Sequence, residues 1–353
     1  MQANRIIQLH LLRGLACLLV AVDHMFFSTP LFNIGAFGVG IFFLISGFVV
    51  PISLNSVSPT RFLIRRCFRI YPVAIVSTLF VVLFSLYVKD IYINYPNLTL
   101  PKMNLWYFTT TVTQIWDIFN HPYFRPIFWT LVIEEKFYWL MALSYVILGK
   151  QKLINNVSLV AVLLILSCLL TPLTNSYYDH FITHNAMFII YIMIGTIFYL
   201  YYNNIIDSKT HIKYCLGLFS LFVLILVIYP QIKLPFIYTN ITHILYNTPN
   251  YIKFSWESSY ITSYTAALII FTALYGAKSI LLKLPFYIFR PLSFFASISF
   301  PFYVIHTEFN SNIRSTYITD NPLFWFIVLV GICYLVHILV EKPFIKLGKR
   351  IFG

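Results

Sequence analysis

Long apolar runs separated by short polar and charged segments make up most of the chain. A window of ~19 residues, about the length a helix needs to cross a bilayer core, places spans near 11–29, 34–54, 70–88, 127–148, 155–172, 184–202, 213–229, 259–276, 286–308 and 322–340. The runs do not alternate with period two, which rejects an outer-membrane barrel. Inside a bilayer every backbone N–H and C=O needs an internal partner, and a helix provides one for each. The pattern therefore predicts an all-α polytopic membrane protein with about ten transmembrane helices. An even number of spans puts both termini on one side. The first run, Leu11–Val22, ends in Asp23-His24 with no small-x-small cleavage pattern after it, so it reads as a retained helix and not as a secretory signal.

Composition narrows the class further. Of 353 residues, 59% are apolar or aromatic and 10% are charged, with a mean hydropathy of +0.80. Soluble domains carry about 25% charged residues, so a water-soluble globular enzyme and a disordered chain are both excluded. The five cysteines, at 17, 67, 168, 215 and 333, show no metal-ligand spacing and no disulfide framework. No metal site is expected. No repeat, low-complexity tract, phosphate-binding glycine loop or appended soluble domain is visible, so residues 1–353 read as a single membrane domain.

The net charge of +13 sets orientation. Fifteen of the 24 Lys and Arg residues fall in segments on the N-terminal side of the predicted membrane. They include Arg61, Arg65, Arg66 and Arg69, and Lys342, Lys346, Lys349 and Arg350. Six fall on the other side. Basic residues accumulate in cytoplasmic loops, so both termini are expected inside. The longest outer loops are then 89–126 and 230–258, which carry Trp106, Trp116 and Trp256, as suits an interfacial aromatic belt.

Ionisable groups within apolar spans are costly and mark candidate chemistry. Arg13 and His24 are eleven residues apart, ~16 Å along a helix and close to three full turns, so they share one face of the first span. A histidine can take a proton from a hydroxyl near neutral pH. The fourth span carries Trp129-Thr-Leu-Val-Ile-Glu134-Glu135-Lys136-Phe-Tyr138. Adjacent carboxylates point ~100° apart on a helix, so both cannot face lipid cheaply. Between spans two and three, Arg65 and Arg69 stand four apart in a basic segment, and arginine forks suit phosphates. Ser299 to His306, with Tyr303, closes the ninth span, and Glu341-Lys342-Pro343 closes the tenth. Each feature also has a plain reading: a snorkelling arginine, an interfacial histidine, a positive-inside loop or a helix-end ion pair.

Taken in order from residue 13 to residue 343, these segments resemble the acyltransferase-3 family of integral membrane acyltransferases. Arg13 with His24 matches its arginine, ten-residue gap and histidine. Gly35 to Phe48 resembles its glycine-rich second helix, with Gly38, Ser46 and Gly47. Arg65-Arg66-Cys-Phe-Arg69-Ile-Tyr-Pro72 is similar to its basic loop, and Trp129 to Tyr138 to its tryptophan-to-tyrosine helix. Lys136 departs from the glutamine common there, Ala74 replaces a frequent aromatic and Val304 replaces leucine.

The resemblance implies transfer of an acyl group, expected to be acetyl, from cytoplasmic acyl-CoA to a hydroxyl of a cell-surface or lipid-linked glycan such as lipopolysaccharide or exopolysaccharide. Acyl-CoA would act as a co-substrate, with no permanently bound cofactor. It implies a bacterial inner membrane and the stand-alone form of the family. His24 is the expected general base, with Glu134 or Asp23 as its carboxylate partner and Glu134 preferred, because Asp23 is adjacent in sequence and points from a different face. Arg13, Arg65, Arg66 and Arg69 are expected at the donor. Glu135, Trp129, Tyr138, Tyr303 and His306 are expected to support the site or the acceptor. A glycan or lipid transporter is the rival reading. It accounts for charges within spans but not for this order of Arg, His and Glu.

Overall fold

The computed structural model describes residues 6–26, 33–87, 128–150, 152–170, 176–241, 250–276, 284–309 and 321–352. Among them every regular element is helical. In chain order these are α1 (Ile7–Met25), α2 (Ile34–Ser56), α3 (Pro59–Tyr87), α4 (Trp129–Leu148), α5 (Leu153–Leu170), α6 (Ser176–Tyr202), α7 (Ser208–Ile241), α8 (Asn250–Gly276), α9 (Phe286–Ile305), α10 (Pro322–Val336) and α11 (Lys342–Ile351). A five-residue π turn, His337–Glu341, joins α10 to α11. Among the described residues six stretches are long and apolar enough to cross a membrane: Ile7–Met25, Ile34–Ser56, Asn185–Tyr202, Ser208–Val227, Phe286–Ile305 and Pro322–Ile351. The chain is therefore a multi-pass helical membrane protein. The other four expected spans, near 70–88, 127–148, 155–172 and 259–276, fall on α3, α4, α5 and α8.

Two expectations about loops need correction. The basic segment between spans two and three is not a loop: α3 begins at Pro59, so Arg65, Arg66 and Arg69 stand on its first turns. Much of the expected loop 230–258 is also helical, because α7 continues to Ile241 and α8 begins at Asn250. Hydropathy reports where a chain is apolar, whereas a helix propagates for as long as each residue adds one backbone bond. Trp106 and Trp116, in the expected outer loop 89–126, lie outside the described residues, as does the side chain of Trp256.

The chain gathers into two compact units. The first comprises Met1–Ser28, Leu63–Val132 and Thr272–Gly353. In it α1 packs along α9. Gly14 permits the close crossing, since a Cβ there would collide with the carbonyl oxygen of Leu292. One turn away, His10 Nε2 and Ser293 Oγ share a hydrogen bond of 2.9 Å. Leu12, Ala16 and Cys17 of α1, Ile298, Phe302 and Val304 of α9, and Leu329 and Cys333 of α10 are buried. Gly348 of α11 sits against the Phe68 ring of α3, which also meets Phe352 at 5.9 Å between centroids.

The second unit comprises Thr29–Phe62 and Ile133–Phe271. Its centre is α6, buried on all sides from Ala186 to Leu200 and flanked by α2, α5 and α7. Helices in a bilayer approach most closely at small residues. Here Gly47 and Gly195 face each other's helix, and a Cβ on either would strike the backbone of Ile192 or Leu44 respectively. Pro51 lies inside α2 and has no N–H to give to the carbonyl four residues earlier, that of Gly47. The hydroxyl of Thr196 takes up this carbonyl instead, at 2.9 Å. Tyr191 Oη likewise donates to the Tyr264 carbonyl at 2.9 Å, within a cluster that includes Phe222.

Candidate active site

His24 with Asp23 and His306 with Tyr303 come together at the Met25 end of α1 and the Ile305 end of α9. His24 Nδ1 lies 3.1 Å from the carbonyl oxygen of Val20, one turn back on α1. A carbonyl only accepts, so Nδ1 carries the proton in the neutral ring and Nε2 is the basic nitrogen. The Asp23 Oδ2 lies 3.6 Å from the same Nδ1. That is too long for a hydrogen bond but close enough to attract an imidazolium. Adjacency in sequence thus does not keep Asp23 away from His24: the carboxylate reaches the ring although the two Cβ atoms leave the helix in different directions.

His306 follows α9 directly. Its ring stands edge-on to His24, with centroids 4.7 Å apart and planes at 81°. Its Nδ1 donates to the Tyr303 carbonyl at 2.8 Å, and Phe302 stacks on its face at 5.9 Å. His306 is fully buried, whereas the His24 side chain is 35% exposed, so His24 is the ring that an incoming molecule meets. The Tyr303 hydroxyl bonds to the hydroxyl of Thr130, both buried, which ties the start of α4 to this end of α9. Arg13, half-buried, stands on the His24 face of α1 close to three turns back.

Arg65, Arg66 and Arg69 are half-buried on α3. The Nε of Arg65 donates to the Phe352 carbonyl at 3.2 Å, so one of its five N–H groups is committed to the end of α11.

Glu134, Glu135 and Tyr138 belong to the second unit. One carboxylate oxygen of Glu134 accepts hydrogen bonds from both the Ser46 hydroxyl of α2 and the Tyr138 hydroxyl one turn on. Tyr138 is buried and meets Phe62 edge-on. Trp129 is half-buried in the first unit. Sequence reading assigned no role to Ser46 or Thr130, although both sit inside the motifs it quoted. A hydroxyl in an apolar helix needs an acceptor, and that need was the available signal. Among the described residues no three His, Cys, Asp or Glu side chains gather to hold a metal ion.

The family model described as an acyltransferase domain, of the acyltransferase-3 type, matches residues 6–341. The chain belongs to the acyltransferase-3 family. No curated protein and no solved structure matches it. Both polar centres of this acyltransferase, around His24 and around Glu134, lie within the matched region, as do Arg13 and the arginines of α3. The match ends at Glu341, the last residue of the π turn, so α11 follows it.

Proposed function

We propose that this membrane acyltransferase moves an acyl group, acetyl in the first instance, from acyl-CoA to a hydroxyl of a cell-surface or lipid-linked glycan, with His24 as general base. The observation that carries the proposal is the placement of His24 Nδ1, 3.1 Å from the Val20 carbonyl with Asp23 beside it, which leaves Nε2 to accept a proton. In the proposed step Nε2 takes the proton of the sugar hydroxyl as its oxygen attacks the thioester carbonyl. The C–O bond forms, the C–S bond breaks, and the proton passes to the leaving thiolate of CoA. Asp23 steadies the transient imidazolium, a role that follows triad logic. His306, packed edge-on, fixes the plane of the ring.

The donor's phosphates suit the guanidinium forks of Arg65, Arg66 and Arg69, and Arg13 suits an amide or thioester carbonyl further along the same route. This reading takes both termini as cytoplasmic, on the bias of the basic residues, and the membrane as a bacterial inner membrane. In the second unit Glu134 already binds two hydroxyls through one oxygen, and that chemistry suits the hydroxyls of a sugar acceptor.

The deciding experiment incubates purified membranes with radiolabelled acetyl-CoA and a crude surface-glycan fraction, comparing the wild type with His24→Ala at matched expression. Alkali-labile label in the glycan, lost in the variant, is the expected result. Label retained in the variant removes His24 from the chemistry. No label with any acyl-CoA and glycan supplied, from well-inserted protein, turns the reading toward a transporter.

A further inference from the structure

From Pro322 to Ile351 the chain forms one 30-residue helical run, ~45 Å long, against a hydrocarbon core of ~30 Å. Its first part is almost wholly apolar and fills that thickness by about Val340. A helix longer than the core tilts, and tilt brings the remaining turns, those of α11, along the headgroup zone. Their composition changes at the same point, to Lys342-Pro-Phe-Ile-Lys346-Leu-Gly-Lys349-Arg350-Ile351.

Three faces can be read from α11. At ~100° per residue, Lys342, Lys346, Lys349 and Arg350 fall within an arc of ~100°, and all four are exposed. Phe344, Leu347 and Ile351 fall within an arc of ~60° on the far side, centred ~150° away, and they are 39%, 41% and 55% exposed. The third face lies between them and holds Gly348, against Phe68 of α3. Among the described residues the closest packing is on the third face, and the apolar stripe is left partly exposed. No carboxylate lies on α11, so the cations on its basic face have none to pair with along their own helix.

An apolar face opposite a basic face, beginning where a membrane span leaves the hydrocarbon, fits the boundary of an anionic lipid leaflet. We infer that α11 is an interfacial helix that docks on anionic phospholipid. Phe344, Leu347 and Ile351 enter the acyl boundary, and Lys346, Lys349 and Arg350 meet the headgroup phosphates. Acyl chains cover the apolar stripe, and the continuity of α11 with the spanning run keeps it at that depth. Docking also bears on Arg65, whose Nε is held by the carbonyl of Phe352 just after α11. A lipid-held α11 therefore keeps that guanidinium in place.

The test uses the full chain in nanodiscs of phosphatidylcholine, alone or mixed with phosphatidylglycerol. The readout is the rate at which an impermeant maleimide labels Leu347→Cys, followed on the peptide that carries position 347. Buried Cys17 and Cys333 report, by staying unlabelled, that the chain is folded. Slow labelling is expected with phosphatidylglycerol. Replacing Lys346, Lys349 and Arg350 together by glutamine should speed it by the order of a hundredfold, from three basic side chains at an anionic surface. Lys346→Arg with Lys349→Arg should stay slow, which separates charge from any effect on the helix itself. Rapid labelling of the otherwise native chain in both lipids overturns the inference. So does slow labelling that ignores lipid charge and the glutamine changes, because that pattern means a second protein surface covers the stripe.

Discussion

The imidazole of His306 stands edge-on to that of His24, 4.7 Å between centroids, and each ring gives its Nδ1 proton to a carbonyl of its own preceding turn. A backbone carbonyl thereby favours the same tautomer in both histidines. Only His24 is exposed enough to meet a substrate, so their replacement should differ in kind. His24→Ala is expected to remove turnover, with general-base loss of about 10²- to 10⁴-fold, while membrane insertion is unchanged. His306→Phe keeps a flat ring against Phe302 and should retain measurable turnover. Equal loss in both, with both proteins well inserted, would assign the proton transfer to the pair.

Asp23 acts in this scheme only through His24. Asp23→Asn should lower kcat about ten- to hundredfold, the cost of losing the charge that steadies the imidazolium, and leave KM for either substrate unchanged. A rise in KM without a fall in kcat would place Asp23 at a substrate instead. The experiment also settles which carboxylate matters to His24, since Glu134→Gln in the same assay should act through the Ser46 and Tyr138 hydroxyls.

The arginines of α3 are expected to bind and not to react. Arg66→Gln and Arg69→Gln should raise KM for acyl-CoA, in proportion to the number of forks lost, with kcat held. Arg65→Gln should do the same and in addition loosen Phe352, so that amide exchange in α11 rises. A kcat effect alone from Arg69→Gln would contradict a phosphate-binding role.

A prediction about the scaffold concerns Thr196. Its hydroxyl replaces the N–H that Pro51 lacks at the Gly47 carbonyl. Thr196→Val leaves that buried carbonyl without this donor and should cost about 1–3 kcal/mol, whereas Thr196→Ser should cost much less. Thermal unfolding in one detergent compares them. If Pro51→Ala rescues Thr196→Val, the explanation is confirmed at the level of the single backbone bond.

Asp207, between α6 and α7, is held below the ordinary aspartate range, chiefly by hydrogen bonding to Thr210, including its backbone N–H at 3.3 Å. Its carboxyl binds a proton less readily folded than unfolded. The contribution to stability is therefore present above the unfolded value, ~3.9, and disappears as pH falls through the folded value. The group is exposed, so the effect is small. Asp207→Asn should flatten the acid side of the stability curve and slightly lower stability at neutral pH, where the carboxylate's contribution is present in full.

The sequence made the helices and several site residues readable for a simple reason: a charge inside an apolar run stands out. Arg13, His24 and Glu134 were visible that way, and Gly47 through its glycine-rich motif. What escaped was set by hydrogen bonds and by distance. Nothing in an adjacent Asp-His says whether the carboxylate turns back to the ring. The hydroxyls of Ser46 and Tyr138 converge on Glu134 only once α2 and α4 are packed. The helical start of α3 was hidden because its basic turns are polar, and hydropathy cannot distinguish a polar helix from a polar loop. Thr196 looked like any threonine in a span until the proline opposite had a carbonyl to spare.

The π turn at His337–Glu341, with its His337 Nδ1 to Glu341 Oε2 contact of 2.5 Å, has a consequence for the end of the chain. A π turn holds one residue more than the α-helix it interrupts, so everything after it is indexed one position late, a rotation of ~100°. Deleting one residue from this stretch would turn the last ten residues like a dial. The four cations would leave their present bearing, Gly348 would lose its place against Phe68, and a bulkier side chain would be driven at that ring. The azimuth of the lysines is thus written in a single extra residue, ~15 Å of helix before α11 ends, and not in the lysines themselves.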